Sequence, residues 1–492
     1  MFEEKLKEFE PIFYPKSIAV VGASSNIKKI GSGWVSALVS AGFSGTIYPV
    51  GSSGGRIAGL EIFPELKQVP GEIDYVIVAI PSQFVLNLLD DCAVKKVKAV
   101  QFFTAGFSEI GKPEGYKLEK QMLEKARQGG IHIVGPNCIG IYCPEHRISP
   151  LGKIGESGPV GFASQSGGIA AKLMEIGIAR HINYSKGVSF GNGIDLDASD
   201  FLQYLAADPK TTVIGAYLEG TRDGNRLFNT MKAVAKAKPL VVWKGGRTEV
   251  GAQAAMSHTG SLASSAAIWS AMLRQAGAIE VHSLEELADT LLIFPRIRYW
   301  QGIGTAIIAG LADGGGGISV YAGDVCIENG LEVPTLSHET KQELMELLGE
   351  AGSIFRNPVD VSQAQSRGLA TLFQAIDLVA RDHVSDIILI QEDIDILLPI
   401  YSWEGLEEIS EFIIDLERRQ KKPVTVVLPP GSAEPERLQI EQKLLAASIP
   451  VYISIERAAK AISRFNQYSC WRQAKDSHQK AAALRKPDKI QL

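Results

Sequence analysis

The sequence runs to 492 residues, 45% of them hydrophobic, with 49 glycines and a formal net charge of -5 at pH 7. That length and apolar fraction supply about three domains with sizeable cores, and the mildly acidic balance argues against a nucleic-acid partner. The 5 cysteines (Cys92, Cys138, Cys143, Cys326 and Cys470) include no CxxC pair, which speaks against a disulfide framework or a thiolate metal site.

The chain opens on Met-Phe-Glu-Glu-Lys, which is charged and lacks the apolar core of a signal peptide, and no apolar run is long enough to span a bilayer. A cytoplasmic location with no membrane association is the expectation. Short apolar runs at Ser17–Val21, Gly45–Val50, Tyr75–Ile80, Ala99–Phe103 and Ile131–Val134 alternate with helical stretches such as Trp34–Ala41. This alternation predicts a doubly wound parallel sheet over residues 1–148 that binds a nucleotide at the carboxyl edge of its strands. A nicotinamide dinucleotide is not the expected ligand. The loop Gly22–Gly31 is not GxGxxG, and the second strand ends on Pro49-Val-Gly-Ser52 with no carboxylate to hold a ribose diol.

The pattern restarts at residue 149. A strand at Pro159–Ala163 leads into Ser164-Gln-Ser-Gly-Gly168 and a helical stretch, Ile169–Ile178. A Ser/Gly turn opening a helix offers free backbone N–H groups and the positive end of the dipole to an anion. A serine-hydrolase elbow is excluded by spacing, because GxSxG would need glycine where Phe162 and Ser166 stand. Two further strands follow: Val213–Leu218, ending on Glu219-Gly220, and Pro239–Trp243, leading into Lys244-Gly-Gly-Arg and on to Ser257-His258-Thr-Gly-Ser261. By the carboxyl-edge rule, Ser164–Gly168, Glu219 and the residues after Trp243 gather at one rim. His258 is flanked by small residues that suit a loop rather than a packed helix face. An imidazole there is a competent nucleophile near neutral pH, and an adjacent carboxylate such as Glu219 would fix its tautomer. A His in such a stretch alone reads as a loop hydrogen-bonder; the rim around it makes it a candidate carrier of a phosphoryl group.

A third segment repeats the second. Thr305–Ala309 followed by Asp313-Gly-Gly-Gly-Gly317 copies the strand and glycine turn at Pro159–Gly168, and Asn357-Pro-Val-Asp360 answers Asn192-Gly-Ile-Asp195. Asp386–Glu392 answers the strand ending in Glu219, and Lys422–Leu428 answers Lys238–Trp243, but Pro429-Pro-Gly-Ser-Ala-Glu-Pro435 stands where the first copy carries His258. Two glycine turns and a single His suggest two helix N-termini facing one phosphate.

Together, Gly22-Ala-Ser24, Gly135-Pro-Asn-Cys-Ile-Gly140, Ser164-Gln-Ser-Gly-Gly168 and Lys244 with Ser257-His-Thr-Gly-Ser-Leu-Ala263 resemble the α subunit of NDP-forming acyl-CoA synthetases. These are the acetate–CoA ligase (ADP-forming) type, related to succinyl-CoA synthetase, and the resemblance covers residues 10 to 465. It implies an α/β chain with a Rossmann-like CoA-binding domain (1–148) and a flavodoxin-like ligase domain carrying the phosphohistidine loop (149–298). A second flavodoxin-like ligase domain (299–470) and a basic C-terminal tail (471–492) complete the implied order. The implied reaction is acid + CoA + ATP ⇌ acyl-CoA + ADP + phosphate, through an acyl phosphate and a phosphohistidine. An ATP-grasp β subunit, in a heterotetramer, would hold ATP or ADP with Mg2+.

Carried over residue by residue, the resemblance makes His258 the phosphohistidine and Glu219 its positioning acid. Ser164, Gln165, Ser166 and Gly167 become phosphate contacts, with Gly315, Gly316 and Gly317 at the second helix terminus. The implied CoA contacts are Gly22, Ala23, Ser24, Ser25, Ile80, Pro81, Thr104, Ala105, Gly106 and Asn137, and no metal ligand is implied on this chain. Two departures stand out. Relatives read Val-Asn-Pro-Lys after the second strand where this chain has Val50-Gly-Ser-Ser53, with Arg56 nearby, and Asp313 adjoins the second proposed anion site. Nothing after residue 470 resembles an ATP-grasp domain, so the chain is expected to need a separate partner to use ATP. The rival reading, a catalytically idle CoA-binding sensor or acyltransfer scaffold on the same domains, predicts loss of the His that is retained here.

Overall fold

Aliphatic runs bounded by glycine become short strands covered on both faces, as parallel sheets require. In this computed structural model, which describes residues 2–259, 265–297, 302–309, 311, 315–349, 356–365 and 367–484, the chain forms two units, Met1–Leu291 and Leu292–Leu492. The first sheet holds Ser17–Val21 (β1), Thr46–Val50 (β2), Tyr75–Val78 (β3), Ala99–Phe102 (β4) and His132–Val134 (β5). Its order is β2-β1-β3-β4-β5, every pair is parallel, and Ile18 lies beside both Ile47 and Tyr75. The order reverses between β1 and β3, so a crevice opens beyond their carboxyl ends, at Gly22 and Ala79.

The second sheet holds Gly140–Tyr142 (β6), Ser157–Ser164 (β7), Tyr184–Ser189 (β8), Val213–Leu218 (β9), Leu240–Lys244 (β10) and Ile279–Val281 (β11), in the order β11-β10-β9-β7-β8-β6. Only β6 runs antiparallel, against β8, and it comes from ahead of residue 149. The carboxyl edges of the two sheets are joined. The loop after β8 inserts Ile194 into the first sheet's core, while the Asn192 and Ile194 N–H groups donate to the Pro136 and Gly135 carbonyls at 3.0 and 3.2 Å. Asp195 accepts from the Ile133 N–H at 3.0 Å.

A helix at Phe2–Phe13, not foreseen in the sequence, packs on the helix Ala198–Ala207. Phe9 meets Phe201 edge-on at 5.4 Å and stacks on Tyr204 at 4.9 Å, and Phe13 stacks on the same tyrosine at 4.7 Å. Aromatic pairs of this kind add directional contact to ordinary apolar burial.

One expectation is corrected here. The stretch before His258 is not a loop: Glu249–Thr259 is a helix. Its run Gly-Ala-Gln-Ala-Ala-Met, opened by Glu249 in the first turn, combines good helix formers with a favourable charge at the dipole's positive end. Ser257 and Thr259, read as loop-forming, are the end of that helix. The His258 side chain and residues 260–264 lie outside the described part of the chain.

The second unit repeats four strands of the second sheet. Thr305–Ala309 (β12), Ile387–Gln391 (β13), Val424–Val427 (β14) and Val451–Tyr452 (β15) lie in the order β12-β13-β14-β15, all parallel. This is the order β7-β9-β10-β11. Val359 bridges Ile308 in parallel, the place that β8 takes beside β7. A helix starting at Gly315 follows β12 as the helix starting at Gly167 follows β7. Glu392, the counterpart of Glu219, is fully buried, and burial pushes its carboxyl up to about 8. The helix Ile455–Leu484 runs unbroken across residue 470. Among the described residues no helix is long and apolar enough to cross a membrane.

Candidate active site

The crevice of the first sheet is built by close backbone crossings. Gly22 has φ +104°, and a Cβ on it would lie 2.4 Å from the Ala79 carbonyl oxygen. On Gly31, in the first turn of the helix Ile30–Ala41, a Cβ would lie 2.3 Å from the Gly22 oxygen. Only glycine fits such approaches. Gly51, following β2, is as tight against the Ala23 oxygen, so the position where a ribose-binding carboxylate was sought is occupied by packed backbone. Ser32 donates its hydroxyl to the Ser24 oxygen at 2.7 Å and accepts the Ser24 N–H at 3.1 Å, which fixes the turn; Ser25 is exposed.

The loops after β3, β4 and β5 are tied in series. Thr104 donates from Oγ1 to the Ile80 oxygen at 2.7 Å, and the Asn137 N–H donates to the Thr104 oxygen at 3.0 Å. Beyond them the second sheet brings its own turn. Ser166 caps the helix Gly167–Ala179 by accepting the Ile169 N–H, and Gly167 sits so close to Ile139 that a Cβ would be 3.1 Å from its Cγ2. One cavity of about 720 Å3 is lined by Ile80, Pro81, Thr104, Ala105 and Asn137 from the first sheet and by Ser166, Gly167 and Gly168 from the second.

Sequence reasoning named most of those residues but did not name as contacts Ile30, Phe103, Cys138 and Ile139, which supply the apolar wall. Cys138 and Ile139 stood inside the motif Gly135–Gly140, while Ile30 and Phe103 had only position for a signal, at a helix start and just past a strand. Burial pushes the Cys138 thiol up to about 12, so it is a neutral wall atom. Gly22, Ala23, Ser24, Ser25 and Gly106 are not among the cavity's lining residues. The Gly106 N–H, like that of Phe107, goes to the Glu109 carboxylate.

Ser164 and Gln165 turn inward rather than toward the cavity. Ser164 is fully buried, and its hydroxyl donates to the Ser166 oxygen at 2.7 Å. Gln165 accepts on Oε1 from the Glu219 and Gly220 N–H groups at 2.7 and 3.0 Å. Through its Oε1 the Gln165 side chain holds the rim together. Glu219 itself is only 9% exposed, which removes the reading of a solvated edge acid. The Tyr217 hydroxyl hydrogen-bonds its carboxylate, and burial together with that negative charge drives the phenol well above its ordinary range. The helix Glu249–Thr259 lies against the turn Ser108–Ile110 that follows Gly106. Gly316 and Gly317 open their helix with free space around their Cα atoms, while Asp313 lies outside the described residues. Among the described residues no cluster of His, Cys, Asp or Glu could hold a metal ion.

A Rossmann-like sheet sharing one cavity with the helix start of a flavodoxin-like sheet defines a class, a ligand-binding module fused to a group-transfer module. Comparison specifies both parts. Residues 16–144 match the family described as CoA binding domain, and residues 157–294 match the succinyl-CoA ligase like flavodoxin domain. The chain is 34% identical over 474 residues to the acetate–CoA ligase (ADP-forming) I subunit alpha of Pyrococcus furiosus, covering 94% of this chain and 98% of that one. It is 35% identical to acetate–CoA ligase (ADP-forming) I of Archaeoglobus fulgidus, of which it spans 64% while 94% of this chain is covered. Among solved structures, the dinucleotide forming acetyl-coenzyme A synthetase 1 of Ca. Korarchaeum cryptofilum, in complex with phosphate and ADP, is 30% identical with a TM-score of 0.82, covering 94% of this chain and 97% of that one. The chain belongs to the family of ADP-forming acetate–CoA ligase α subunits, related to the succinyl-CoA ligase α chain, and is an acid–thiol ligase subunit with a CoA-binding domain.

A buried carboxylate ties the two sheets together beside this cavity. Glu119, 5% exposed, accepts from the Ser108 N–H at 3.2 Å, from Asn192 Nδ2 at 3.4 Å and from Arg222 Nη2 at 2.5 Å. Removing it leaves the buried Ser108 N–H without its acceptor, a loss of about 1–3 kcal/mol, while Asn192 Nδ2 keeps Glu109 at 2.6 Å and the half-exposed Arg222 turns to water. If the loop Thr104–Gly106 contacts CoA, Glu119→Ala raises the CoA Kd by about 5- to 100-fold. Titration calorimetry with CoA checks this.

Proposed function

We propose that this chain is the CoA- and acyl-binding half of a two-part ligase. Phosphate attacks the thioester carbonyl, CoA leaves as the thiol, and an acyl phosphate forms at the turn Ser166–Gly168. His258 then attacks phosphorus, releasing the carboxylate and becoming phosphohistidine, and the phosphoryl group passes to ADP with Mg2+ on an ATP-grasp β subunit. Reversed, the sequence activates a small carboxylic acid with ATP. Glu219 orients the imidazole and stabilises positive charge on it. The helix start at Gly167 supplies fixed dipoles to the phosphate.

The observation that carries this reading is the shared cavity. Its lining holds no carboxylate, so neither a phosphate nor an acyl phosphate meets a like charge there. Apolar walls from Phe103 and Ile139 suit a pantetheine arm, and the backbone amides of the Ser166–Gly168 turn suit an anion.

The test is reconstitution. Mixed with an ATP-grasp β subunit, Mg2+-ATP, CoA and acetate, the chain is expected to give acetyl-CoA and ADP in equal amounts, and neither subunit alone gives any. CoA, and not NAD, should bind the isolated chain. If the complete mixture forms no thioester with short-chain, dicarboxylic or aryl acids, the ligase reading fails and the idle CoA sensor takes its place.

A further inference from the structure

Lys244 ends β10 beside Leu218 of β9, and its side chain turns under the Glu219 loop. It is 3% exposed. Its ammonium donates to the Glu219 carbonyl oxygen at 2.8 Å and to the Gly245 carbonyl oxygen. On its far side it stands 5.2 Å from the Trp269 ring, contributed by the helix Ala266–Ala276. Burial lowers its pKa, and the Glu219 charge opposes that fall.

An ammonium is an expensive way to cap two neutral carbonyls, because taking the charge out of water costs far more than a neutral donor would. What a neutral donor cannot supply is positive potential at the neighbouring carboxylate. The surroundings keep this arrangement fixed. Gly245 leaves room for Tyr217, since a Cβ there would lie 2.3 Å from the phenol oxygen, and Gln165 holds the Glu219 and Gly220 amides from the opposite side. Other cations of these loops have partners of their own: Arg222 pairs with Glu119, and Arg247 bonds His282.

Resting on the proposed role of Glu219, we infer that Lys244 is a positioning residue for the phosphoryl transfer: it holds the Glu219 turn by its main chain and sets the field at its carboxylate. Outer partners that orient a reacting group are typically worth about 10- to 100-fold.

The experiment is a double-mutant cycle on the reconstituted complex, reading phosphohistidine formation from labelled ATP together with CoA affinity of the α chain. Lys244→Met is expected to slow labelling by about 10- to 100-fold with the CoA Kd unchanged. In a Glu219→Gln background the same change should cost no more than about 3-fold, because coupled residues do not add. Equal costs in both backgrounds, labelling at the unaltered rate, or loss of CoA binding along with labelling would each overturn the inference. A silent Glu219→Gln would instead sink the role of Glu219 and this inference with it, so the two failures are told apart by that single variant.

Discussion

His258→Ala in the reconstituted complex is expected to reduce thioester formation from ATP by about 10,000-fold or more, the scale on which loss of a covalent nucleophile is usually felt. Among the described residues the cavity offers no ready substitute. The thiol nearest the proposed reaction, Cys138, is buried with its pKa pushed up to about 12, and Cys143 is likewise raised to about 11, so neither presents a thiolate at neutral pH. The hydroxyl of Ser164 is buried and engaged within its own turn. The wild-type complex should acquire an acid-labile, base-stable label from ATP that the variant lacks, while CoA binds both equally. Undiminished thioester synthesis by the variant would remove the phosphohistidine from the mechanism.

Much of this was legible because parallel strands announce themselves. Val213–Leu218 and Thr305–Ala309 are apolar runs whose ends in the structure coincide with those read from sequence, and the repeat carried the strand order of one sheet over to the next. The rim residues followed from the same rule, since the register places Ser164 beside Tyr217 and Leu218 beside Lys244. What could not be read is non-local. Phe9 and Phe13 look like an unremarkable amphipathic start until Tyr204 is brought against them, and nothing in sequence marks that partner. Polar side chains near a rim are ambiguous in a second way: Gln165 has both donor and acceptor capacity, and only the fold decides that its oxygen accepts from Glu219 and Gly220. The helix Glu249–Thr259 was misread because serine and threonine fit either a loop or a helix packed closely against a turn.

The second large effect concerns stability. Lys186 is fully buried on β8 and Asp208 is 4% exposed; they pair at 2.9 Å. The same carboxylate oxygen accepts from Thr211 Oγ1 at 2.6 Å, and the Lys186 ammonium stands 5.1 Å from the Tyr14 ring. The Asp208 charge also reaches Lys238 and that of Lys186 reaches Glu145, but the ion pair is made by these two side chains. Asp208→Ala leaves an ammonium in the interior with its counter-ion gone, and breaking a buried pair in this one-sided way costs about 3–5 kcal/mol. Joint replacement by Lys186→Met and Asp208→Leu removes both charges and should regain most of that loss, because a well-packed apolar pair of similar volume often matches a buried ion pair. Hydrogen exchange of the β8 amides is the measurement of choice, since it reports this sheet separately from the rest of a chain too large to unfold in one step. If Asp208→Ala protects those amides as well as the wild type does, the pair is not what holds β8 in place. If only the single variant loses protection, the strand that leads to Asn192, and through it to the first sheet, depends on charge neutrality in the core of the second.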